Sequence, residues 1–267
     1  MEALRSRVAA LSPTARRALA LVALAGPHVE AALLPALLAA DEGTANAARR
    51  ELLDANLLVE LPPAAVGLRS TLAWRAALGL IPSAGRPSLH RAVAAAVEQH
   101  YGAALTPWRP ALAHHALAAG ERRAALAHAR AAGAHALAVC APRMALDALT
   151  VAVEAADALV APEVDLLLAR AQAHQTLGAF ERARQDDEAA LGLARAQADH
   201  RGEWRALLAL GALWAARDEP RSGDFGERAL RVARTLDDSA ALARSLNGLG
   251  RCHLTMDAPR EAQALHR

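Results

Sequence analysis

Lysine is missing altogether: all 30 basic residues of this 267-residue chain are arginine. No Walker A lysine, Schiff-base lysine or catalytic lysine can therefore exist in it. Isoleucine occurs once, at Ile81, and aromatic residues make up 3% of the chain. Without β-branched and aromatic residues in number, a large sheet is not expected. Only two cysteines are present, Cys140 and Cys252, and they form no CxxC. That number excludes a disulfide framework and a zinc ribbon. On Ala-rich segments two lone cysteines read as small core residues, in keeping with a reducing cytoplasm. Long hydrophobic runs are also absent. The longest stretches without Asp, Glu or Arg hold 12 residues, as in Ala18–Val29, too few for a membrane span. Arg16-Arg17 ahead of that stretch could mimic a signal peptide, but Ser12-Pro13 reads as a helix cap with proline at the first helical position.

What is there is alanine and leucine, the strongest helix formers. Hydrophobic residues reach 54%, and 28 acidic residues balance the arginines to a net charge of +2. Such a balance argues against a nucleic-acid footprint over the whole chain. Ser12-Pro13 opens a helix that Gly26-Pro27 stops. A second helix is expected over Val29–Ala40, and a third from the Asp41–Thr44 turn to about Ala55, ended by Asn56. Leu57–Leu61 and Val66–Arg69, around Pro62-Pro63, predict a small hairpin. A further helix follows over Thr71–Leu80, and Leu89, Val93 and Val97 mark another after Pro87.

A period of about forty residues dominates the C-terminal part. Arg205-Ala206-Leu207-Leu208-Ala209-Leu210-Gly211 recurs as Arg244-Ser245-Leu246-Asn247-Gly248-Leu249-Gly250. Asp218-Glu219-Pro220 follows the first and Asp257-Ala258-Pro259 the second, at the same offset of 39. Leu167, Ala171, Gly178 and Phe180 form a weaker copy 40 residues before Leu207, Gly211, Asp218 and Pro220. Leu112–Leu137 and Ala138–Leu159 look like two more divergent copies. A period of this size means stacked helical hairpins that cannot bury a core singly. Leu207, Leu210, Gly211 and Trp214 share one helix face, with Gly211 expected to admit the partner helix closely.

Catalytic patterns are wanting. There is no HExxH, no GxSxG and no Gly-rich phosphate loop. His114 and His115 are neighbours and diverge by about 100° on a helix, so the 11 histidines read as surface or packing residues. Asp186-Asp187-Glu188 reads as a solvated acidic face. No enzyme activity, cofactor or metal is expected.

The repeat pattern resembles the tetratricopeptide repeat, on the sets Ala171/Gly178/Phe180, Gly211/Asp218/Pro220 and Gly250/Asp257/Pro259. Asp187 stands where that family usually has an aromatic. The chain as a whole resembles the C-terminal part of bacterial STAND-type ATPases, many of them transcriptional regulators. Leu11-Ser12-Pro13, Leu53-Asp54-Ala55-Asn56-Leu57-Leu58, Leu89-His90-Arg91-Ala92-Val93-Ala94 and Leu112-Ala113-His114-His115 carry that resemblance. It implies an all-α chain: a winged-helix-like domain with a small β-hairpin over 1–82, a connector helix over 83–107, and a right-handed α-solenoid of helix pairs over 108–267. It also implies a non-catalytic sensor and protein-interaction region in the cytoplasm. Its groove would take a protein or small-molecule effector, and its ATPase domain would lie in a part preceding this chain. The sequence stops at Ala264–Arg267, part-way through a repeat, as a piece of a longer protein or a naturally short relative would. The tetratricopeptide resemblance places Gln172, Gln175, Arg205, Asn247 and Arg251 on the inner face of the groove. The alternative is a DNA-binding regulator acting through Arg49-Arg50 on the third helix. Glu42, Glu51 and Asp54 nearby disfavour phosphate contact there.

Overall fold

The structure is a computed structural model and describes residues 2–215 and 217–255. The chain divides into two compact units, with the boundary after His128.

In the first unit α1 (Glu2–Ala10) precedes α2 (Pro13–Ala25), whose start is fixed as its sequence dictates. The Ser12 hydroxyl accepts from the Ala15 N–H, and Pro13 sits in the first turn. Glu51 reaches back to the same corner, accepting from the Ser12 N–H at 2.6 Å and hydroxyl at 2.7 Å. These bonds hold the Glu51 carboxyl below the ordinary carboxylate range. The helix expected over Val29–Ala40 does not form as such. His28–Glu30 is a strand, β1, followed by a 3-10 turn over Ala31–Leu33 and a short helix α3 (Leu34–Leu38). The reason is tertiary: β1 finds a partner far along the chain, and pairing overrides the local helical pattern of the following Ala-Ala-Leu-Leu.

α4 (Glu42–Asp54) begins on the Asp41 carboxylate, which accepts from the Thr44 N–H. It ends in a left-handed residue, Asn56 at φ 53°, with the Leu57 N–H returning to the Leu52 carbonyl. The hairpin β2 (Leu58–Leu61) and β3 (Ala65–Leu68) forms where the sequence puts it. It is not alone, because β1 adds to it in the antiparallel order β1-β3-β2, with Val29 opposite Val66. Gly67 is required at the centre: a Cβ there would stand 2.8 Å from the Pro27 carbonyl oxygen and 2.9 Å from Leu61 Cδ1. α5 (Thr71–Gly79) follows, and Trp74 donates its indole N–H to the Ala23 carbonyl at 2.6 Å. α6 (Arg86–Tyr101), the expected connector, packs on α2 and α3 and contributes Val93 and Val97 to the same core as Leu21, Leu37 and Leu52. α7 (Arg109–Ala118) lies against α6.

The boundary falls inside α8 (Arg122–Ala138). The second unit continues with α9 (Pro142–Ala158), α10 (Val164–Thr176), α11 (Phe180–Ala196), α12 (His200–Trp214), α13 (Glu219–Ala233) and α14 (Ser239–Thr255). From α9 on, each helix packs on the next, the arrangement of a helical repeat array. Ala138–Leu159 holds one helix only, so it is not the full hairpin that the repeat pattern suggested. Several turns use one device, a left-handed residue that closes the helix: Cys140, Val160, Gly178 and Ala198. Cys140 is therefore an exposed turn residue and not a core one. Residues 256–267, with Asp257 and Pro259 of the last repeat, lie outside the described residues.

Gly211 does not act as expected. A Cβ there would meet Phe225 and Ser222 atoms at 3.6 Å, ordinary contact. What matters at that position is the backbone, whose carbonyl accepts from the buried Ser222 hydroxyl at 2.9 Å. Closer approaches occur elsewhere, among them Gly133, where a Cβ would stand 2.7 Å from Leu149 side-chain atoms, and Gly226, where it would stand 3.2 Å from Leu249.

Candidate interaction face of the helical array

Helices α10, α12 and α14 are the first helices of successive repeats. Besides their hairpin partners they touch each other, α10 with α12 and α12 with α14. Their buried faces are mainly apolar, with Leu166 and Ala171 on α10, Leu207 and Leu210 on α12, and Ala241 and Leu249 on α14. Gln172, Gln175, Arg205 and Asn247 are all exposed, opposite to that packing. Arg251 lies on α14, but its side chain is outside the described residues. The structure ties one candidate directly to a neighbour: Arg205 on α12 forms an ion pair with Asp165 on α10. The two residues stand 40 positions apart, one repeat period. Gln172 donates nothing from its side chain to that pair, but its main-chain carbonyl accepts from the Thr176 hydroxyl at 2.9 Å. The face is thus a polar surface of amides with a bridged arginine. It can hydrogen-bond an extended chain or a small polar ligand.

Behind α10 lies a polar cluster that the sequence did not reveal. Asp186-Asp187-Glu188 is not a solvated face: Asp186 is 7% and Asp187 3% exposed. Arg170 grips Asp186 through two hydrogen bonds, from Nε at 2.8 Å and Nη2 at 2.6 Å, which raise the guanidinium pKa. His174 stands 3.9 Å from the same carboxylate, and its pKa is lowered by burial first. Asp187 has a buried oxygen without a hydrogen-bond partner. Burial, then the charges of Asp186 and Glu188, push its carboxyl up to about 7. The signal in the sequence was the missing aromatic at position 187.

The far side of the hairpins carries rings covered by arginines. Phe180 meets Trp214 edge-to-face at 5.1 Å, Arg217 lies 4.2 Å over Phe180, and Arg221 lies 4.7 Å over Trp214. An open cleft of about 470 Å³ adjoins them, lined by Glu188, Trp214, Pro220, Arg221, Asp224 and Phe225. Asp224 is engaged by Arg228, and Glu188 by Arg184.

In the first unit, the arginines of α4 part company. Arg49 is held by Glu60 of β2 at 2.8 Å, whereas Arg50 is exposed. Among the described residues no helix is long and apolar enough to cross a membrane.

No protein-family model matches the sequence, and no curated protein matches it. Among solved structures the chain is similar to BtubC (BKLC) from P. vanneervenii, with a TM-score of 0.53 and 17% identity, the match covering 67% of this chain and 76% of that one. It is also similar to a signal transduction ATPase with numerous domains, a STAND protein with a tetratricopeptide repeat sensor, from Pyrococcus horikoshii. There the TM-score is 0.44 and the identity 9%, over 97% of this chain and 50% of that one. The chain spans half the length of the second protein. At these identities the likeness speaks to the fold alone.

Proposed function

We propose that this chain is a non-catalytic sensor and protein-interaction region, with the exposed face of α10, α12 and α14 as its binding surface for a protein or small polar effector. The observation that carries this reading is the row of exposed amides and the bridged Arg205 on helices whose opposite faces are fully committed to the core. The resemblance of the sequence to STAND-type ATPases extends the proposal to coupling with an ATPase domain outside this chain. The first unit supports that extension. From α2 on its elements run helix, strand, two helices and two strands with the sheet order β1-β3-β2, an order that supports reading it as winged-helix-like.

The test is ATP hydrolysis by the ATPase-bearing protein, measured with and without effector or partner. Arg205→Ala combined with Asn247→Ala should weaken the effector response and leave basal hydrolysis intact. A response that both substitutions leave unchanged would sink the groove reading, and hydrolysis indifferent to every partner would sink the coupling. DNA binding through α4 is the weaker reading, because Arg49 is already spent on Glu60. Duplex binding at low salt that falls with Arg50→Ala would restore it.

A further inference from the structure

Two half-buried rings, Trp214 and Phe225, line one open cleft on the second unit. α11 and α13 both pack on α12, and the cleft lies where the end of α12 meets the other two. Its wall is Glu188 from α11, Trp214 from α12, and Pro220, Arg221, Asp224 and Phe225 from α13. At about 470 Å³ it falls within the range of ordinary ligand pockets. Phe180 meets the Trp214 ring edge-to-face at 5.1 Å and steadies the indole. Gln172, Gln175, Arg205 and Asn247 take no part in the lining, so this cleft is separate from the interaction face of α10, α12 and α14.

The rings already show which group they accept. Each carries a guanidinium: Arg221 lies 4.7 Å from the Trp214 ring centre and Arg228 lies 5.1 Å from that of Phe225. Two carboxylates stand beside them, with side chains 49% exposed at Glu188 and 60% exposed at Asp224. Their ion-pair partners are arginines four residues away on their own helices, Arg184 at 2.6 Å and Arg228 at 3.1 Å. Exposed same-helix pairs of this kind are weak, and a carboxylate keeps acceptor capacity beyond one such bond. We infer that the cleft docks an arginine side chain of a partner protein, its guanidinium stacked on Trp214 and hydrogen-bonded to Glu188 and Asp224.

Arg221 is the internal rival. It covers Trp214, but its carboxylate partner is Asp218, at 3.1 Å, which is not part of the cleft wall. Its side chain is 62% exposed, so it has little packing to lose on leaving the ring. Exchanging one guanidinium for another on the indole is nearly even. The incoming group gains the two cleft carboxylates, whereas Arg221 keeps Asp218. Arginine suits the cleft better than lysine, because its planar fork both stacks on a ring and bonds a carboxylate through two donors. An anionic group is disfavoured, since the wall holds two carboxylates against one guanidinium.

Titration of the whole chain with the peptide acetyl-Gly-Arg-Gly amide, followed by the nuclear magnetic resonance of its tryptophan indole N–H groups, tests the site. The Trp214 signal, identified by its loss in Trp214→Phe, should shift saturably in the millimolar range, while those of Trp74, Trp108 and Trp204 stay in place. The same peptide with citrulline for arginine, equal in shape but uncharged, should leave Trp214 unmoved. Glu188→Gln combined with Asp224→Asn, both exposed, should weaken binding by about fivefold with an unchanged circular dichroism spectrum. Arg221→Ala should strengthen it. Gln172→Ala with Asn247→Ala should leave it unchanged, which separates this cleft from the interaction face. Equal shifts with the citrulline peptide, affinity indifferent to the carboxylate variant, weaker binding by Arg221→Ala, or no shift at tens of millimolar peptide each overturns the proposal. Should the carboxylate variant fail to fold, the citrulline peptide and Arg221→Ala decide.

Discussion

Trp204 donates its indole N–H to the hydroxyl of Ser245 at 2.9 Å, joining α12 to α14 across 41 residues. The same hydroxyl donates to the Ala241 carbonyl at 2.9 Å, so Ser245 is used as donor and acceptor at once. Ser245→Ala leaves a buried indole N–H without an acceptor, a loss of about 1–3 kcal/mol. Urea unfolding followed by tryptophan fluorescence should show it. A change below about 0.5 kcal/mol would mean the bond contributes nothing net.

Asp187 makes the second unit sensitive to alkali. Its folded-state pKa, about 7, lies above the ordinary 3.8. The folded chain therefore keeps a proton that the unfolded chain releases. The stability this represents is fully present below about pH 4, declines as the pH rises, and above 7 the group costs on the order of 4 kcal/mol. Asp187→Asn should raise the urea midpoint at pH 8 far more than at pH 5. Parallel pH profiles for the two proteins would contradict this account.

Two glycines should respond to alanine in opposite directions. At Gly133 the new methyl group collides with Leu149, itself 2% exposed and hemmed in. Gly133→Ala should cost about 1–3 kcal/mol by overpacking. At Gly211 the methyl group finds ordinary contact. Gly211→Ala should stabilise by up to about 1 kcal/mol through helix propensity. Thermal midpoints of the two variants decide the matter, and a large loss at Gly211 would restore it as a packing glycine.

Val160 is a β-branched residue at φ 54°, and it is 89% exposed. It occupies the kind of left-handed helix-ending position that Gly178 fills after the next helix. Val160→Gly should gain roughly 1–2 kcal/mol, the left-handed penalty, less the entropy glycine returns to the unfolded chain. Val160→Ala should gain little, because any L side chain keeps the strain. Equal midpoints for Val160→Gly and the parent chain would show the turn to be unstrained.

The helices were legible because their signals are local. Ser12, Asp41 and Ser70 cap α2, α4 and α5, and Asn56 closes α4, each within a few residues of the feature it controls. The hairpin was legible from its two apolar runs around Pro62-Pro63. β1 was not, since Val29 gains its strand character only by lying opposite Val66. The buried carboxylates went unseen for the same reason: Asp186 is tolerable inside only because Arg170 arrives from another helix. His90 likewise meets His115 from 25 residues away. On the interaction face, the tetratricopeptide resemblance implied which side chains face outward, whereas the Asp165 bridge to Arg205 needed two helices side by side.

The β1–β3 pairing also sets a clock. It joins His28 to Gly67, and α3, α4 and β2 must be accommodated within that closure. In the second unit most of the packing from α9 on is between helices adjacent in sequence, so most of its contacts close short loops. Chains rich in such local contacts fold on the order of microseconds to milliseconds, and non-local strand pairing is slower. The array should therefore be structured while the first unit is still searching for its third strand, with three residues, His28–Glu30, governing the slower rate.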